Sequence, residues 1–520
     1  MDEVKFWSFF MLKQYVSPQS FAILVIIVAF YISLIKHREK MMTNPPPGPK
    51  GWPFIGSLPS LNFHSERVMY NWNEKYGPVC QVKLGSRNFI LLGSIEAVHE
   101  AFVKKSEIFS DRLMNSVPPL LGDNGILFIN NTNKLEEQRR FGLAALRDFG
   151  MGRRSIEPAI LEKCEHICER VEEYCVKGEA FSIEPAVYES VSSVISKLVF
   201  NKNLSEENEE FKRLLKILIE GTPYDKFTGL IFLVPVLKYI PPFSFGYKIS
   251  DDYNNSMCRE IKVQIEEHRK SRDKIEPRDV IDCFLNEMET TNRARRHSYS
   301  AGSDHRFVET ETSFVHDQLI KLVRDLFLAG SETSSTTFCW LMLYVTLNPE
   351  IQSHMHREID FVLGEDCRAS VAKSEKMPYT RAVIQETLRI RPVAPVGIPH
   401  VAAKEDTILG YNIPKGSIVV SNIFRIHHDK SVWGDSEKFD PGRHITADGK
   451  FIKSPNVIPF SIGARQCLGQ QLAIMELFLI TATLFQRYHF ILDRPDEVDI
   501  KGYNMFTLRP NPYKVFAERR

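Results

Sequence analysis

Residues 460–469, with the sequence FSIGARQCLG, constrain the fold of this chain more than any other segment. Cys467 lies between Gly463 and Gly469, Arg465 precedes it by two positions, and Phe460 begins the segment. Glycine lets a backbone approach a bound group closely, where a Cβ would hinder it. A cysteine sulfur binds metal as the thiolate, whose formation a metal and nearby positive charge favour. A lone cysteine is more often a buried, inert side chain, but these neighbours favour a metal ligand.

The segment resembles the haem-binding loop of the cytochrome P450 family of haem-thiolate monooxygenases. The resemblance runs from about residue 45 to the end of the chain. It implies that Cys467 is the axial ligand of the iron of haem b and that Phe460, Gly463 and Gly469 shape the cofactor-binding loop. A thiolate ligand pushes electron density onto iron and favours O–O cleavage. It also implies the cytochrome P450 fold, mainly α (α+β), with a helix-rich haem domain and small β-sheets.

Composition and the family resemblance together divide the chain into three predicted parts. Residues 1–43 form a membrane anchor with a transmembrane helix at about 18–36, because this stretch is apolar and can rise about 28 Å. A cleaved signal peptide is the alternative, but no small-residue cleavage site follows. Residues 44–53 are a proline-rich hinge, and 54–520 form the haem-binding catalytic domain. The basic flank at 36–40 predicts a single-pass protein with a cytosolic catalytic domain, and the resemblance to microsomal members implies the endoplasmic reticulum membrane.

Charge and cysteine content exclude other classes of protein. The net charge of the 520-residue chain is +1, which gives no reason to expect a nucleic-acid partner. The nine cysteines are odd in number and irregularly spaced, so no zinc box is predicted and all but Cys467 are expected as reduced thiols. A second apolar stretch, 230–245, contains three prolines. Core packing and a membrane-dipping loop remain equal alternatives for it.

The periodicity predicts a long helix over 316–347 that ends at Asn348-Pro349. Its centre contains Gly330, Glu332 and Thr333, and the threonine hydroxyl can bond the carbonyl four residues earlier. This stretch resembles the family's oxygen-activation motif, which makes Glu332 and Thr333 the catalytic pair that relays protons to oxygen. The alternative is a solvent-facing glutamate and a purely structural threonine.

Turn residues predict the small sheets. Val79–Leu84 and Asn88–Leu92 flank Gly85-Ser86 as a hairpin, and Thr407–Ile413 and Ser417–Ser421 flank a second turn. The polar segment 290–312 is predicted to be a flexible loop.

Glu386 and Arg389, on a helix predicted over 377–391, share one face. They resemble the family's Glu-x-x-Arg pair, and Arg443 resembles the third member of a structural triad that positions the Cys467 loop. Gly442 and His444 stand where the family has an acid and an aromatic residue.

The resemblance implies that cations hold the two haem propionates. The candidates are Arg112, Arg139, His400 and Arg465. Leu135 replaces a tryptophan that in the family helps to hold a propionate.

The function implied is oxygenation of a lipophilic substrate such as a steroid, fatty acid or xenobiotic. One atom of O₂ enters the substrate. The electrons come from NADPH through NADPH–cytochrome P450 reductase, and cytochrome b5 is a further candidate donor. Membrane lipid is also an expected partner. The alternatives are a haem-thiolate isomerase or dehydratase acting on peroxides, which the Glu332–Thr333 pair disfavours, and a non-catalytic membrane haem protein. The candidate substrate-pocket residues are Phe327, Ala329, Val396, Ile398 and Met505.

Overall fold

The computed structural model describes residues 43–61, 64–113, 125–152, 155–202, 233–300, 312–364, 367–504 and 507–520, with single positions between 209 and 231. The predicted transmembrane helix at 18–36 therefore lies outside the described residues. Among the helices that are described, none combines the length and the apolar character needed to cross a membrane.

Helices make up most of the described chain. In chain order the α-helices are α1 Ser65–Tyr76, α2 Ile95–His99, α3 Ser106–Phe109, α4 Asn133–Asp148, α5 Glu157–Lys177, α6 Glu184–Phe200, α7 Phe243–Ser271, α8 Val280–Ser300, α9 His316–Leu347, α10 Pro349–Leu363, α11 Pro378–Ile390, α12 Ile423–His427, α13 Lys430–Trp433 and α14 Gln470–Arg487. A π-helical turn spans Glu100–Lys104, and short 3₁₀ helices include Pro441–His444 and Gly463–Arg465.

Helix α9 crosses the centre of the domain, with most of its side chains buried. It spans His316–Leu347, as the sequence predicts, and its 32 residues rise about 48 Å. A Cβ at Gly330 would lie 2.9 Å from Cγ1 of Ile195 on α6. The glycine at this point therefore also serves close packing of α6 on α9.

The strands among the described residues form four small sheets. They are β1 Val79–Leu84, β2 Arg87–Leu92, β3 His400–Val401, β4 Asp406–Ile408, β5 Tyr411–Ile413, β6 Ile418–Ser421, β7 Tyr488–Leu492, β8 Tyr503–Asn504, β9 Leu508–Arg509 and β10 Val515–Arg519. The largest sheet has the order β1-β2-β6-β3, in which β6 runs parallel to β2. The other sheets pair β10 with β7, β4 with β5, and β8 with β9.

The β1–β2 hairpin is confirmed, and so is the turn at Pro414-Lys415-Gly416, where the N–H of Ser417 donates to the carbonyl oxygen of Pro414 at 3.1 Å. The single strand predicted over Thr407–Ile413 is wrong. Leu409 and Gly410 both have positive φ, so the chain turns inside the predicted strand Thr407–Ile413 and pairs β4 with β5. Two consecutive left-handed residues suit a tight hairpin turn. The segment Ile418–Ser421 instead joins β2 and β3.

Two further predictions are tested by the helices. Helix α11, Pro378–Ile390, confirms the helix predicted over 377–391. The loop predicted over 290–312 is wrong at its start, because α8 continues to Ser300; residues 301–311 lie outside the described part.

The proline-rich segment at 44–53 packs on strand β1. The carbonyl oxygen of Pro47 accepts a hydrogen bond from the backbone N–H of Gln81 on β1 at 2.8 Å. A Cβ at Gly48 would lie 1.7 Å from the Gln81 carbonyl oxygen, so only glycine fits here. The helix-rich fold with small separate sheets agrees with the sequence prediction for the described residues.

Candidate active site

The Cys467 loop is closed by backbone hydrogen bonds. The N–H of Cys467 donates to the carbonyl oxygen of Phe460 at 3.0 Å, and the N–H of Ser461 donates to Ile458 at 3.0 Å. Ser461 has a φ of 58°, a left-handed conformation that non-glycine residues rarely adopt. Cys467 then lies three residues before Gln470, where α14 begins.

The two glycines that flank Cys467 have different roles. Gly463 has a φ of 81°, and a Cβ there would lie 1.9 Å from the carbonyl oxygen of Phe102. Its close approach is therefore to the backbone of the neighbouring π-helical turn, a partner that the sequence does not identify. A Cβ at Gly469 would meet no described heavy atom within 4 Å.

The Cys467 side chain is exposed, although many protein atoms surround it. Burial raises the pKa of its thiol, while the backbone N–H of Gly469, the charge of Arg139 and the backbone N–H of Gln470 act in the opposite direction. These donors lie at the N-terminus of α14, where partial positive charge favours an anion. A metal cation bound to the sulfur would act in the same direction as these groups and favour the thiolate.

Two buried arginines, Arg465 in the loop and Arg112 outside it, are fixed by backbone carbonyls. Arg465 donates from Nε to the carbonyl oxygen of Ser110 at 2.9 Å and from Nη2 to that of Ile129. Arg112 donates from Nε to Leu127 at 2.9 Å and from Nη1 to the carbonyl oxygens of Ile398 and Pro399, each at 2.8 Å. Both guanidinium groups are thus fixed by neutral carbonyls.

His400 and Arg139 complete the cluster. The ring of His400 stacks on Phe102 with centroids 3.8 Å apart, and its Nδ1 lies 2.6 Å from the carbonyl oxygen of Phe109. Nδ1 must carry the proton in that bond, because a carbonyl accepts. Arg139, on α4, donates from Nη2 to the carbonyl oxygen of Gln466 at 2.6 Å. The structure therefore brings all four predicted cations together beside the Cys467 loop.

This cluster carries more positive charge than its surroundings compensate. Burial lowers the pKa of Arg112, and the charges of Arg465 and Arg139 lower it further. Burial and Arg139 lower the pKa of Arg465 to about 9, with Asp111 acting in the opposite direction. Burial and then Arg112 lower the pKa of His400. Such a set of cations fits a bound group with anionic side chains.

One atom of the cluster points to the same conclusion. Nη1 of Arg465 is buried and has no hydrogen-bond partner among the described residues. A buried donor without an acceptor is costly, so an acceptor is expected there. Leu135, where a tryptophan is usual in the resembling family, is buried in the main hydrophobic core. It contributes no polar atom to the cluster.

The predicted triad centres on the fully buried Glu386. Arg389 donates to it through Nε and Nη2, each at 2.7 Å, which is a bidentate pair. Arg443 approaches only to 3.7 Å through Nε, and its hydrogen bonds go to the carbonyl oxygens of Trp433 and Asp435. The closer third partner is His444, whose Nε2 lies 2.9 Å from Oε2 of Glu386. Arg443 is thus an outer member of the triad, and the residue that replaces the aromatic binds the carboxylate directly.

A histidine that the sequence analysis did not single out connects the triad to the Cys467 loop. Nδ1 of His427 lies 3.0 Å from the carbonyl oxygen of Arg389, and Nε2 accepts the backbone N–H of Ile458 at 2.8 Å. Burial, followed by the charge of Arg389, lowers the pKa of His427 to about 3. The ring is therefore neutral, with the proton on Nδ1.

At the centre of α9, the Thr333 hydroxyl donates to the carbonyl oxygen of Ala329 at 2.8 Å. This is the bond that the sequence predicts. Both residues are exposed although most of the helix is buried. Thr333 and Ala329, four residues apart, therefore share an accessible face of α9.

Glu332 is not solvent-facing. Its Oε1 accepts from Nη2 of Arg509 at 2.8 Å, from Nε of Arg509 at 3.2 Å and from the Thr507 hydroxyl. Arg509 lies on β9 and is buried. The sequence does not identify these partners, because they are about 175 residues away along the chain.

The predicted pocket residues fall in different environments. Ala329 is exposed on α9, and Val396 and Ile398 are half-buried. Phe327 is wholly buried with its ring 6.3 Å from that of Phe200, so it lies in the core between α9 and α6 rather than at an accessible wall. Met505 lies outside the described residues.

Comparisons with known proteins agree with this geometry. The family model described as Cytochrome P450 matches residues 46–517. The chain is 32% identical over 522 residues to Cytochrome P450 2U1 of Mus musculus, covering 96% of this chain and 95% of the relative. It is 31% identical to Cytochrome P450 2J2 of Homo sapiens, with 94% of each chain covered. The chain therefore belongs to the cytochrome P450 family and is a cytochrome P450 monooxygenase.

Proposed function

We propose that Cys467, as the thiolate, is the axial ligand of haem b, and that Arg112, Arg139, His400 and Arg465 bind its two propionates. Bound haem supplies the activation of O₂ and the transfer of one oxygen atom to a C–H or C=C bond. The observation that carries the proposal is the uncompensated positive cluster beside Cys467, including the unpaired Nη1 of Arg465. His400 needs a second proton to donate from Nε2, and a propionate beside it favours that charged form.

The test is the spectrum of the reduced, carbon monoxide-bound protein with a matched pair of cysteine variants. Thiolate ligation gives a Soret band far to the red of that of an imidazole-ligated haem. Cys467→Ser is expected to lose this band, whereas Cys367→Ser, at another exposed cysteine, is expected to keep it. Retention of both pigment and turnover in Cys467→Ser contradicts the proposal.

Within this site, Glu332 and Thr333 are proposed to deliver the protons that oxygen cleavage requires. Thr333 lies on the accessible face of α9, and Glu332 is the adjacent acid. Glu332→Gln is expected to raise the amount of hydrogen peroxide released per NADPH consumed. Without proton delivery, O₂ is reduced by two electrons only and is released as hydrogen peroxide. An unchanged peroxide yield in both Glu332→Gln and Thr333→Val removes this role. A peroxide isomerase would need neither residue.

The electrons are proposed to come from NADPH through NADPH–cytochrome P450 reductase, with cytochrome b5 as a second donor. The chain's own positive charge near Cys467, including the half-buried Arg139, suits an acidic partner. Reconstitution with the reductase in rising salt tests this, because an electrostatic complex weakens with ionic strength. Turnover that needs no reductase contradicts it.

The substrate is proposed to be lipophilic and to arrive from the endoplasmic reticulum membrane, with the anchor at 18–36 and the catalytic domain in the cytosol. Exposed apolar side chains in two segments support a membrane-facing surface; they are Trp52, Phe54, Ile55, Val236, Tyr239, Ile240 and Phe245. The segments adjoin, because Val234 and Leu58 both lie beside Gly85.

Two measurements test the membrane and substrate proposals. In vesicles containing brominated phosphatidylcholine, Trp52 fluorescence is expected to be quenched, and the quenched component is absent in Trp52→Phe. Equal quenching in both proteins contradicts contact at this surface. A comparison of a lipid extract before and after incubation with the reconstituted enzyme then distinguishes steroid from fatty acid; a xenobiotic substrate leaves the extract unchanged.

A further inference from the structure

The two oxygen atoms of Glu332 are in different situations. Oε1 accepts three hydrogen bonds, two from Arg509 and one from Thr507. No described residue donates to Oε2. The side chain keeps 10% of its surface accessible, so it is not sealed on all sides.

The group that holds Oε1 is itself firmly placed. Arg509 is 3% exposed, and its guanidinium lies 5.7 Å from the ring centre of Tyr188 on α6. Burial alone would lower the pKa of Arg509, but Glu332 and Tyr188 raise it above its ordinary value. Arg509 therefore keeps its positive charge, and its Nη2 lies 2.8 Å from Oε1 of Glu332.

A carboxylate oxygen that accepts three donors has no lone pair left for a proton. The other oxygen then has to take up and release the proton. We propose that Arg509 and Thr507 are positioning residues of the proton delivery: they hold Oε1 of Glu332, so that Oε2 is the oxygen that exchanges protons. This inference rests on the proton role proposed above for Glu332.

The transfer changes only O–H bonds. Oε2 accepts a proton from water and passes it on toward oxygen, and Glu332 returns to its Arg509-bound form after each transfer. Since Thr507 and Arg509 belong to the β8–β9 hairpin segment, the placement of that hairpin sets the placement of Oε2. The hairpin is thus part of the proton-delivery apparatus through Glu332.

The test uses the full-length holoenzyme with its reductase and no added substrate. Two balanced outcomes compete: O₂ + NADPH + H⁺ gives H₂O₂ + NADP⁺, and O₂ + 2 NADPH + 2 H⁺ gives 2 H₂O + 2 NADP⁺. Only the second needs O–O cleavage, so peroxide per NADPH reports failed proton delivery. Arg509→Gln is expected to lower the yield of water by at least about threefold, with Arg509→Lys intermediate. Thr507→Val should lower it less, and Thr507→Ser should restore it.

Arg519→Gln is the matched control, because Arg519 is an exposed arginine on strand β10 that pairs with Glu172 of α5. It is expected to leave the water yield unchanged. A second readout is hydrogen exchange of the β8–β9 hairpin, which should speed up in Arg509→Gln.

The double variant Glu332→Gln/Arg509→Gln separates the possible results. If Arg509 acts through Glu332, the double variant gives the same yield as Glu332→Gln alone. Faster hairpin exchange with an unchanged water yield in Arg509→Gln makes the pair only structural and overturns the inference, while the role of Glu332 stands. A wild-type yield in Glu332→Gln overturns the proton role itself. If Arg509→Gln does not retain haem, Arg509→Lys and Thr507→Val decide: wild-type yields in both refute the inference.

Discussion

Replacing His427 by glutamine is expected to make the protein less sensitive to acid. His427 is neutral because burial and Arg389 lower its pKa from 6.5 to about 3. Below about pH 6.5 the unfolded chain takes up a proton that the folded chain does not. The stability that the neutral ring contributes is therefore complete above pH 6.5 and is lost as the pH falls toward 3. Glutamine cannot titrate, so the variant lacks this loss.

The size of the effect follows from the two pKa values. Each unit of separation is worth about 1.36 kcal/mol, so the full loss between pH 6.5 and 3 is about 5 kcal/mol. Over the narrower interval from pH 7 to pH 5 the loss is about 2 kcal/mol. An unfolding entropy of about 2.1 cal/mol/K per residue, over a chain of 520 residues, converts this to about 2 °C in Tm.

The assay is the unfolding midpoint of wild-type and variant holoenzyme at several pH values between 7 and 5. His427→Gln should be less stable at pH 7, because the bonds to Arg389 and Ile458 are perturbed. Its midpoint should then fall with pH about 2 °C less than that of the wild type. His99→Gln, at an exposed histidine, should follow the wild type. Parallel curves for His427→Gln and wild type would refute the reasoning, whatever their offset.

Gly463→Ala is expected to lower the haem content and to lower the free energy of unfolding by more than about 2 kcal/mol. The reason is that its Cβ would lie 1.9 Å from the Phe102 carbonyl oxygen, at a φ of 81°. Gly469→Ala is the control, because its Cβ would meet no described atom within 4 Å. Pigment per mole of protein measures the haem content, and the unfolding midpoint measures the stability. Equal losses in Gly463→Ala and Gly469→Ala contradict the steric account. His444→Phe restores an aromatic residue but removes a hydrogen bond to a buried carboxylate, and is expected to cost about 1.5 kcal/mol in urea unfolding. An unchanged urea midpoint means that Glu386 does not depend on His444.

The sequence predicts those parts of the site that are local in the chain. The Cys467 loop, helix α9 and the pair of Glu386 and Arg389 each depend on residues a few positions apart. Turn chemistry and helical spacing act over such distances, so they can be recognised from the sequence. The cation cluster was predicted from family resemblance, because nothing local relates Arg112 to Arg465.

The sequence does not predict contacts made between distant elements. Arg509 reaches Glu332 across 177 positions, and His427 joins Ile458 across 31. Both contacts depend on how strands and helices pack, which no local pattern specifies. The same applies to the strand after Gly416, because the sequence predicts the turn and the strand but not the pairing of that strand with β2. The family resemblance implies Arg443 as the third member of the triad, and only the packing shows that His444 is closer to Glu386.

Three buried carboxyl groups near the centre of the domain show how packing separates structural from chemical roles. Burial alone would raise the pKa of Glu386, but Arg389 and His444 lower it, and both oxygens are used. Burial raises the pKa of Glu476 to about 8, which favours its protonated form near pH 7. Glu332 is bound by Arg509 and Thr507 through Oε1, and no described residue donates to its other oxygen. Of the two carboxyl groups that arginines bind here, Glu386 has both oxygens occupied, so Glu332 is the one with an oxygen open to proton exchange.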